Sequence, residues 1–320
     1  MCTAISFKTK DHYFGRTLDL EYHYNESVVI TPRNFSFPFS ENHYAIIGIA
    51  TVIDSYPLYY EATNEVGLSV AGLNFPGNAF FHPVNESKIN VAPFEFIPYI
   101  LAQCCNIYEV KTLLKKINIA DIDFRPDLKA SPLHWIISDE NYSITVESVR
   151  DGLKIYENPI GVLTNNPPFD WQMTNLANYI NLTAEEPKNT FAPSEKICAF
   201  SKGMGAVGLP GDLSSVSRFV RVAFTKLNSV CGESETESVS QFFHILGSVE
   251  HTKGVVHLGD GKYEITVYTS CCNTDKGIFY YTTYESPQIC AVDMHRENLD
   301  GNTLFIYPLE HTPQINTINF

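Results

Sequence analysis

No apolar run in this chain is long enough to cross a bilayer. The longest, about Tyr44 to Ile53, falls well short of the ~20 residues a membrane helix needs. The N-terminus, MCTAISFKTK, lacks the basic stretch and long apolar run of a secretory signal. Cys-x-x-Cys is absent, which removes zinc-ribbon and thioredoxin-type sites. The ten histidines contain no H-x-x-x-H or H-x-H pair, so no metal site is assigned. Basic residues are scarce: 22 Lys and Arg against 36 Asp and Glu give a formal charge of −14, without the basic face a nucleic-acid partner requires. The acidic excess reads as solubility. No repeat, low-complexity tract or Pro/Gly/Ser linker divides the chain, so residues 1–320 are expected to form one domain.

What is present is an ordinary globular composition, 44% hydrophobic, in a chain long enough to build its core without disulfide staples. The eight cysteines include two adjacent pairs, 104–105 and 271–272, which form no disulfide framework. Cys104, Cys105, Cys198, Cys231, Cys271, Cys272 and Cys290 read as buried small hydrophobes in a reducing, cytoplasmic compartment. Strand patterns occupy 2–8, 27–31 and 44–53, the last apolar on both faces, as a strand between two layers would be. Residues 58–63 and 68–73 read as a hairpin. Helical patterns follow at 92–104 and 107–117, then strands at 133–138, 143–149, 152–157 and 160–164. Helices are expected at 170–181, 214–228 and 237–247, and strands at 263–270, 277–284 and 288–294. Blocks of strands alternating with blocks of helices predict a layered α+β protein, not a βαβ array.

Chemistry is concentrated at the start. Cys2 follows Met1, and a side chain this small permits removal of the initiator Met. The mature chain is expected to begin with cysteine, carrying a thiol and a free α-amine on one Cα. Their ordinary pKa values, about 8.5 and about 7.7–8.0, leave both partly deprotonated near neutrality. An N-terminal nucleophile activated by its own amine is an established catalytic device. Many chains also carry Cys at position 2 with no catalytic role, so its meaning depends on what accompanies it.

Four segments supply candidates. Phe14–Glu21 follows a turn at Lys10-Asp11-His12 as the second arm of a hairpin, placing Arg16 beside Cys2. A fixed guanidinium lowers the pKa of a neighbouring thiol, and Asp19 would orient the amine. Arg16 and Asp19 have opposite strand parity, so a shared site requires a bulge or twist; the alternative is a surface ion pair. Asn74 in Leu73-Asn74-Phe75-Pro76-Gly77 and Asn165 in Thr164-Asn165-Asn166-Pro167-Pro168 end strands, where they would donate to an oxyanion or simply form turns. Arg218 and Arg221 lie three apart on one helical face after Gly208–Asp212. They would hold an anion or polarise the site, or else form a solvated pair.

Together these segments closely resemble the choloylglycine hydrolase family of N-terminal nucleophile hydrolases. The resemblance runs through Met1-Cys2-Thr3, Phe14–Glu21, Ala71–Gly77, Gly161–Trp171, Gly203–Phe224 and Glu297–Asn302, covering essentially the whole length. It implies a four-layer αββα sandwich, no cofactor, a homotetramer, and cleavage of the amide joining a bile acid to glycine or taurine. By the same resemblance the catalytic set is Cys2, Arg16, Asp19, Asn74, Asn165 and Arg218; Arg218 rather than Arg221 matches because it follows Ser217. Penicillin V acylases share the fold and nucleophile but often carry Tyr at the position matching Asn74, so Asn74 favours conjugated bile acids as substrates. Glu250–Lys262 looks less familiar and is expected to line the amino-acid side of the pocket. A penicillin V acylase, another N-acyl amide or acyl-homoserine lactone hydrolase, and a non-catalytic binding protein of this fold remain alternatives.

Overall fold

The computed structural model describes residues 1–319. Among these residues the chain forms a seven-stranded and an eight-stranded sheet, plus a short parallel pair, Ile89–Val91 with Ile117–Ile119. The seven-stranded sheet runs Val162–Leu163, Cys2–Lys8, His12–Leu20, Lys262–Asn273, Ile278–Thr283, Cys290–Asp293, with Val256–Gly259 paired to Lys262–Asn273 off this path. The N-terminal strand is therefore flanked on both sides, and Cys2 sits at its end in register with Leu18. The eight-stranded sheet runs Gly152–Glu157, Ser143–Val149, Leu133–Ser138, Ser69–Asn74, Tyr56–Asn64, Ile46–Ile53, Ser27–Thr31, Phe305–Pro308.

Strand alternation explains the layers. Ile47 and Ile49 share one core with Ala4, Phe14 and Leu18, whereas Ile46 and Ala50 of the same strand pack into a second core with Phe96 and Ile100. One segment thus faces the opposite sheet with one set of side chains and a helical layer with the other. The Phe96–Gln103 and Ile107–Leu114 helices cover the eight-stranded sheet. The Ser215–Asn228 and Glu235–Gly247 helices, through Phe219, Val222, Phe242 and Ile245, cover the other. The result is the expected αββα sandwich. Helix starts follow capping chemistry: Asn106 accepts from Glu109 N–H, Ser214 from Ser217 N–H, and Ser234 forms a capping box with Glu237. No helix among the described residues is long and apolar enough to cross a membrane.

Several expectations shift. His12 belongs to the second strand, not to the turn before it. The helix expected at 170–181 stops at Asn175 and continues as a 3-10 turn to Tyr179. The edge strand Phe305–Pro308 escaped the sequence reading because it is short and ends in Pro. The cysteines are all unpaired, but only Cys104, Cys271 and Cys272 of the seven beyond Cys2 are buried; Cys105, Cys231 and Cys290 are half-buried and Cys198 is exposed.

The second strand approaches Lys262–Asn273 closely at Gly15, where a Cβ would lie 2.0 Å from the Ser270 carbonyl oxygen. Gly15→Ala should therefore spread the two strands next to Arg16 and destabilise the fold by about 1–3 kcal/mol, as overpacking does. Urea denaturation measures this; an unchanged midpoint would contradict the close approach.

Candidate active site

The two strands that open the chain set the geometry. In the antiparallel register Cys2 pairs with Leu18 and Ala4 with Arg16, so Cys2 and Arg16 are diagonal neighbours on one face. That face looks toward the other sheet and lines a cavity of about 390 Å3 together with Asn74. The wall is mostly apolar, with Leu20, Ile53, Leu58, Ile97, Phe124 and Leu133 among its residues.

Arg16 and Asp19 are almost wholly inaccessible, at 1% and 0% exposure, so neither belongs to a surface ion pair. The second strand carries no bulge between them. Its alternation sends Arg16 toward the cavity and Asp19 toward the helical layer, and the two approach the N-terminal residues from opposite faces. The register shift lies instead in the neighbouring strand, between Thr266 and Tyr268.

On the cavity side, Arg16 donates through Nη1 to the carbonyls of Gly72 (2.5 Å) and Tyr60 (3.3 Å) and through Nε to Thr17 O (3.2 Å). Its Nη2 has no protein partner. Glu61 Oε2 lies 3.8 Å from Arg16 Nε and accepts from Tyr268 OH at 2.8 Å, while Glu61 Oε1 accepts from Ser270 Oγ at 2.9 Å. Burial opposes the Arg16 charge, but the neighbouring Cys2, Tyr268, Glu61 and Asp19 outweigh it and hold the guanidinium above its ordinary value. Burial pushes Glu61 up to about 7, against the pull of Arg16 and its two hydrogen bonds.

On the helical side, Asp19 accepts from Thr266 Oγ1 at 2.7 Å and Thr17 Oγ1 at 3.1 Å. His251 Nε2 lies 3.8 Å from Asp19 Oδ2, and burial pushes this imidazole down to about 4. The Met1 amine donates to Asp19 O at 2.5 Å and contacts the Glu264 carboxylate. Burial drives this amine below its ordinary value.

Arg218 is fully buried and joins the helical layer to the chain start. Its Nη1 donates to Cys2 O (2.6 Å) and Thr3 Oγ1 (2.5 Å), and its Nη2 to Asn165 Oδ1 (2.8 Å). The same Asn165 oxygen accepts from Cys2 N–H at 2.9 Å. Asn165 Nδ2 donates to Asn74 O at 2.7 Å, and Asn165 N–H donates to Ser215 Oγ at 2.8 Å. The five other candidate residues thus gather around Cys2. Arg221 does not; it donates to Pro210 O and Ser248 O and fixes the loop before its helix. Of the 250–262 segment, no residue lines the cavity; His251 meets the site beside Asp19 and through Thr266, whose Oγ1 accepts from His251 N–H at 2.8 Å.

Sequence reasoning missed Glu61, His251 and Thr266. The available signal for Glu61 was a lone acid directly after the apolar and aromatic run Tyr56-Pro57-Leu58-Tyr59-Tyr60. The signal for His251 was absent, because it follows a helix in an irregular loop. A group of three potential metal ligands, His23, Glu285 and His311, lies at the surface. It escaped motif scanning because its members come from three distant segments; Glu285 oxygens approach the two imidazoles at 3.2 and 3.1 Å.

The site thus gathers a buried thiol, guanidinia from both faces of its strand, and asparagines at or just past two strand ends. Residues 2–307 match the profile of the linear amide C–N hydrolases, choloylglycine hydrolase family, and the chain belongs to that family. It is 52% identical over 324 residues to a bile salt hydrolase/transferase of Lactiplantibacillus plantarum, covering 100% of both chains. It is 40% identical to a bile salt hydrolase/transferase of Clostridium perfringens, again over 100% of both. The crystal structure of a mutant conjugated bile acid hydrolase from Clostridium perfringens superposes with a TM-score of 0.91 at 39% identity, covering 100% of both chains. Penicillin V acylase from Agrobacterium tumefaciens shares the fold, with a TM-score of 0.72 at 18% identity over 95% of this chain and 90% of that one.

Glu61 gives a prediction. The folded carboxyl keeps its proton up to about pH 7, whereas an unfolded Glu loses it near its ordinary value. The folded chain therefore binds more protons across that interval. The stability from protonated Glu61 is complete below the ordinary carboxyl range and is lost as pH rises through about 7. Glu61→Gln should flatten this fall, on the order of 1–3 kcal/mol between pH 5 and 7.5. Urea midpoints at the two pH values check it; an unaltered pH slope in the variant refutes the assignment.

Proposed function

We propose that this enzyme is a bile salt hydrolase that cleaves glycine- or taurine-conjugated bile acids through Cys2 as an N-terminal nucleophile. The observation that carries the reading is the placement of the Cys2 side chain on an apolar cavity whose polar groups include Arg16 and Asn74. A rigid apolar acyl group fits such a wall, and the scissile amide would lie at its polar end. The names of the relatives support the same substrate class.

With Met1 removed, the Cys2 nitrogen becomes an amine and retains Asn165 Oδ1 as acceptor. Burial, which lowers the proton affinity of the Met1 amine, would act in the same direction on that of Cys2 and favour its neutral, basic form. The amine takes the thiol proton as sulfur attacks the carbonyl carbon. Negative charge moves to the carbonyl oxygen, where Asn74 and the Asn165 amide donate; one such donor is worth about 2.7–4 kcal/mol. Arg16 stands beside the sulfur and attracts charge that would otherwise be buried uncompensated. The resulting ammonium protonates the leaving nitrogen, the C–N bond breaks, and glycine or taurine departs. Water, giving its proton to the freed amine, then cleaves the thioester. Asp19 holds the amine from the helical side, and Arg218 fixes the Cys2 carbonyl and Asn165. The same reading takes residues 1–320 as one domain in a homotetramer without a cofactor. Eight unpaired cysteines fit a cytoplasmic setting.

Hydrolysis of glycocholate, taurocholate and penicillin V by protein beginning at Cys2 tests the substrate class. Turnover of penicillin V alone would move the reading to a penicillin V acylase. Cys2→Ser, with Met1 cleanly removed, should fold with an unchanged far-UV spectrum and lose nearly all hydrolysis, because an alkoxide forms far less readily than a thiolate. Near-normal turnover in that variant would rule out the thiol mechanism.

The thioester also predicts acyl transfer, in keeping with the hydrolase/transferase names of two relatives. A second amine entering the vacated subsite competes with water, and its share rises with amine concentration and with pH, since only the neutral amine attacks. Glycocholate incubated with excess taurine should yield taurocholate in an amine-dependent ratio to cholate, read by mass spectrometry. Hydrolysis with no transfer at any pH would mean that the acyl-enzyme is closed to amines or does not form, and trapping the thioester by rapid acid quench decides which.

A further inference from the structure

We infer that His134 and Glu147, buried behind the site and in contact with none of the reacting groups, are positioning residues that set the two asparagine-bearing loops for catalysis. This rests on the proposed role of Asn74 and Asn165 as oxyanion donors and extends it to what holds them.

Both side chains are at 0% exposure. His134 lies in Leu133–Ser138, in register with Leu73, one residue before Asn74. Its Nδ1 is 3.1 Å from Glu147 Oε1, and its Nε2 donates to the Thr164 carbonyl at 2.8 Å. Glu147 Oε1 also accepts from Phe169 N–H at 3.0 Å. The pair thus grips the chain at Thr164 and at Phe169, on either side of Asn165-Asn166-Pro167-Pro168. It also supports the other loop. The Phe75 ring stacks on the His134 imidazole at 4.2 Å with planes 5° apart, and Phe75 N–H donates to Pro132 O at 2.7 Å. The two loops are joined directly by the Asn165-to-Asn74 hydrogen bond of 2.7 Å.

Hydrogen-bond stoichiometry explains why an acid is buried here. The Thr164 carbonyl only accepts, so Nε2 must carry a proton. Nδ1 faces a carboxylate oxygen that already accepts from Phe169. A proton must therefore sit between Nδ1 and Oε1, and the pair as a whole is neutral with two protons. A neutral imidazole alone can supply only one of the two bonds. Without the second proton that the Glu147 carboxyl allows, the ring must choose between the Phe169 side and the Thr164 carbonyl, and one grip is lost. Glu147 Oε2 has no partner, so the acid meets its neighbours through one oxygen. Core packing alone would be served by an apolar pair, which avoids the desolvation of two polar groups.

The test compares three variants in protein beginning at Cys2. His134→Asn keeps a donor near the Nδ1 position but does not reach Thr164. His134→Gln keeps a donor near the Nε2 position. Glu147→Gln keeps the shape and removes the charge. Kinetics are normalised to active sites counted by stoichiometric alkylation of Cys2, so misfolded protein does not enter. His134→Asn and Glu147→Gln should lower kcat by on the order of tenfold with KM changed less than about twofold, a smaller loss than the ~10²–10³ for deleting an oxyanion donor outright. The Cys2 alkylation rate should be unchanged, and His134→Gln should restore part of kcat. Normal kcat per active site in His134→Asn or in Glu147→Gln overturns the proposal. So does failure of all three to fold, which would make the pair a determinant of folding only. Asn165→Ala separates the two levels. If it raises KM and leaves kcat intact, the oxyanion reading fails; if it lowers kcat while the His134 and Glu147 variants do not, only the positioning inference fails.

Discussion

Arg218 reaches from the helical layer to the Cys2 carbonyl, the Thr3 hydroxyl and Asn165 Oδ1, and its Nε is tied to Leu213 O. Its charge is held without direct contact to a carboxylate, and burial drives its pKa down against the opposing influence of Asp19 and Cys2. Such a group stays ionised at depth only if its donors are met, and here acceptors come from three separate stretches of chain. Each acceptor is thereby located relative to the others. The guanidinium fixes where the first strand ends, which way Asn165 turns its oxygen, and so which way its amide nitrogen must point. Removing it would free the N-terminus and the asparagine loop together.

The second constraint is strand alternation. The proposed nucleophile, Cys2, is approached by a guanidinium, an acid and an asparagine, and these do not come from one face. Placing Cys2 at the end of a strand allows this, because the backbone there is open to both sides. Arg16 comes from the inter-sheet face with Glu61 behind it, and Asp19 from the helical face with Thr266 and His251 behind it. The two acids are segregated by the sheet. The one among the apolar side chains, Glu61, has its proton affinity raised by burial, and the neutral His251 beside Asp19 adds no charge of its own.

Much of this was legible in the sequence, and the reasons differ by residue. Strands such as 2–8, 27–31, 133–138 and 143–149 were readable because apolar side chains repeat with a period of two or fill both faces. Cys2 was readable from position. Arg16 followed from hairpin register, which fixes a diagonal neighbour once the turn is located. Asn74 and Asn165 were ambiguous one at a time, since Asn before Pro is also turn chemistry; only their occurrence with the other segments marked them. The parity conflict between Arg16 and Asp19 was visible, but a linear reading resolved it by a bulge or twist in their own strand. The two-faced approach to a strand end is a property of layers and has no signature within six residues of sequence.

His134 and Glu147 show where local reading stops. Each is the one ionisable residue of its strand, Leu-His-Trp-Ile-Ile-Ser and Ser-Ile-Thr-Val-Glu-Ser-Val, and each alone is an unexplained buried group. They become interpretable together, because adjacent antiparallel strands bring both to one spot and the asparagine loop passes over them. A buried acid next to a buried imidazole is costly unless both are bonded, and the partners they find are backbone groups at the two ends of a loop. The same logic applies to Glu61 under Arg16. In this fold the polar residues embedded in core strands lie directly behind the proposed site, Glu61 beside Arg16 and the His134–Glu147 pair beneath the segment that carries Asn165.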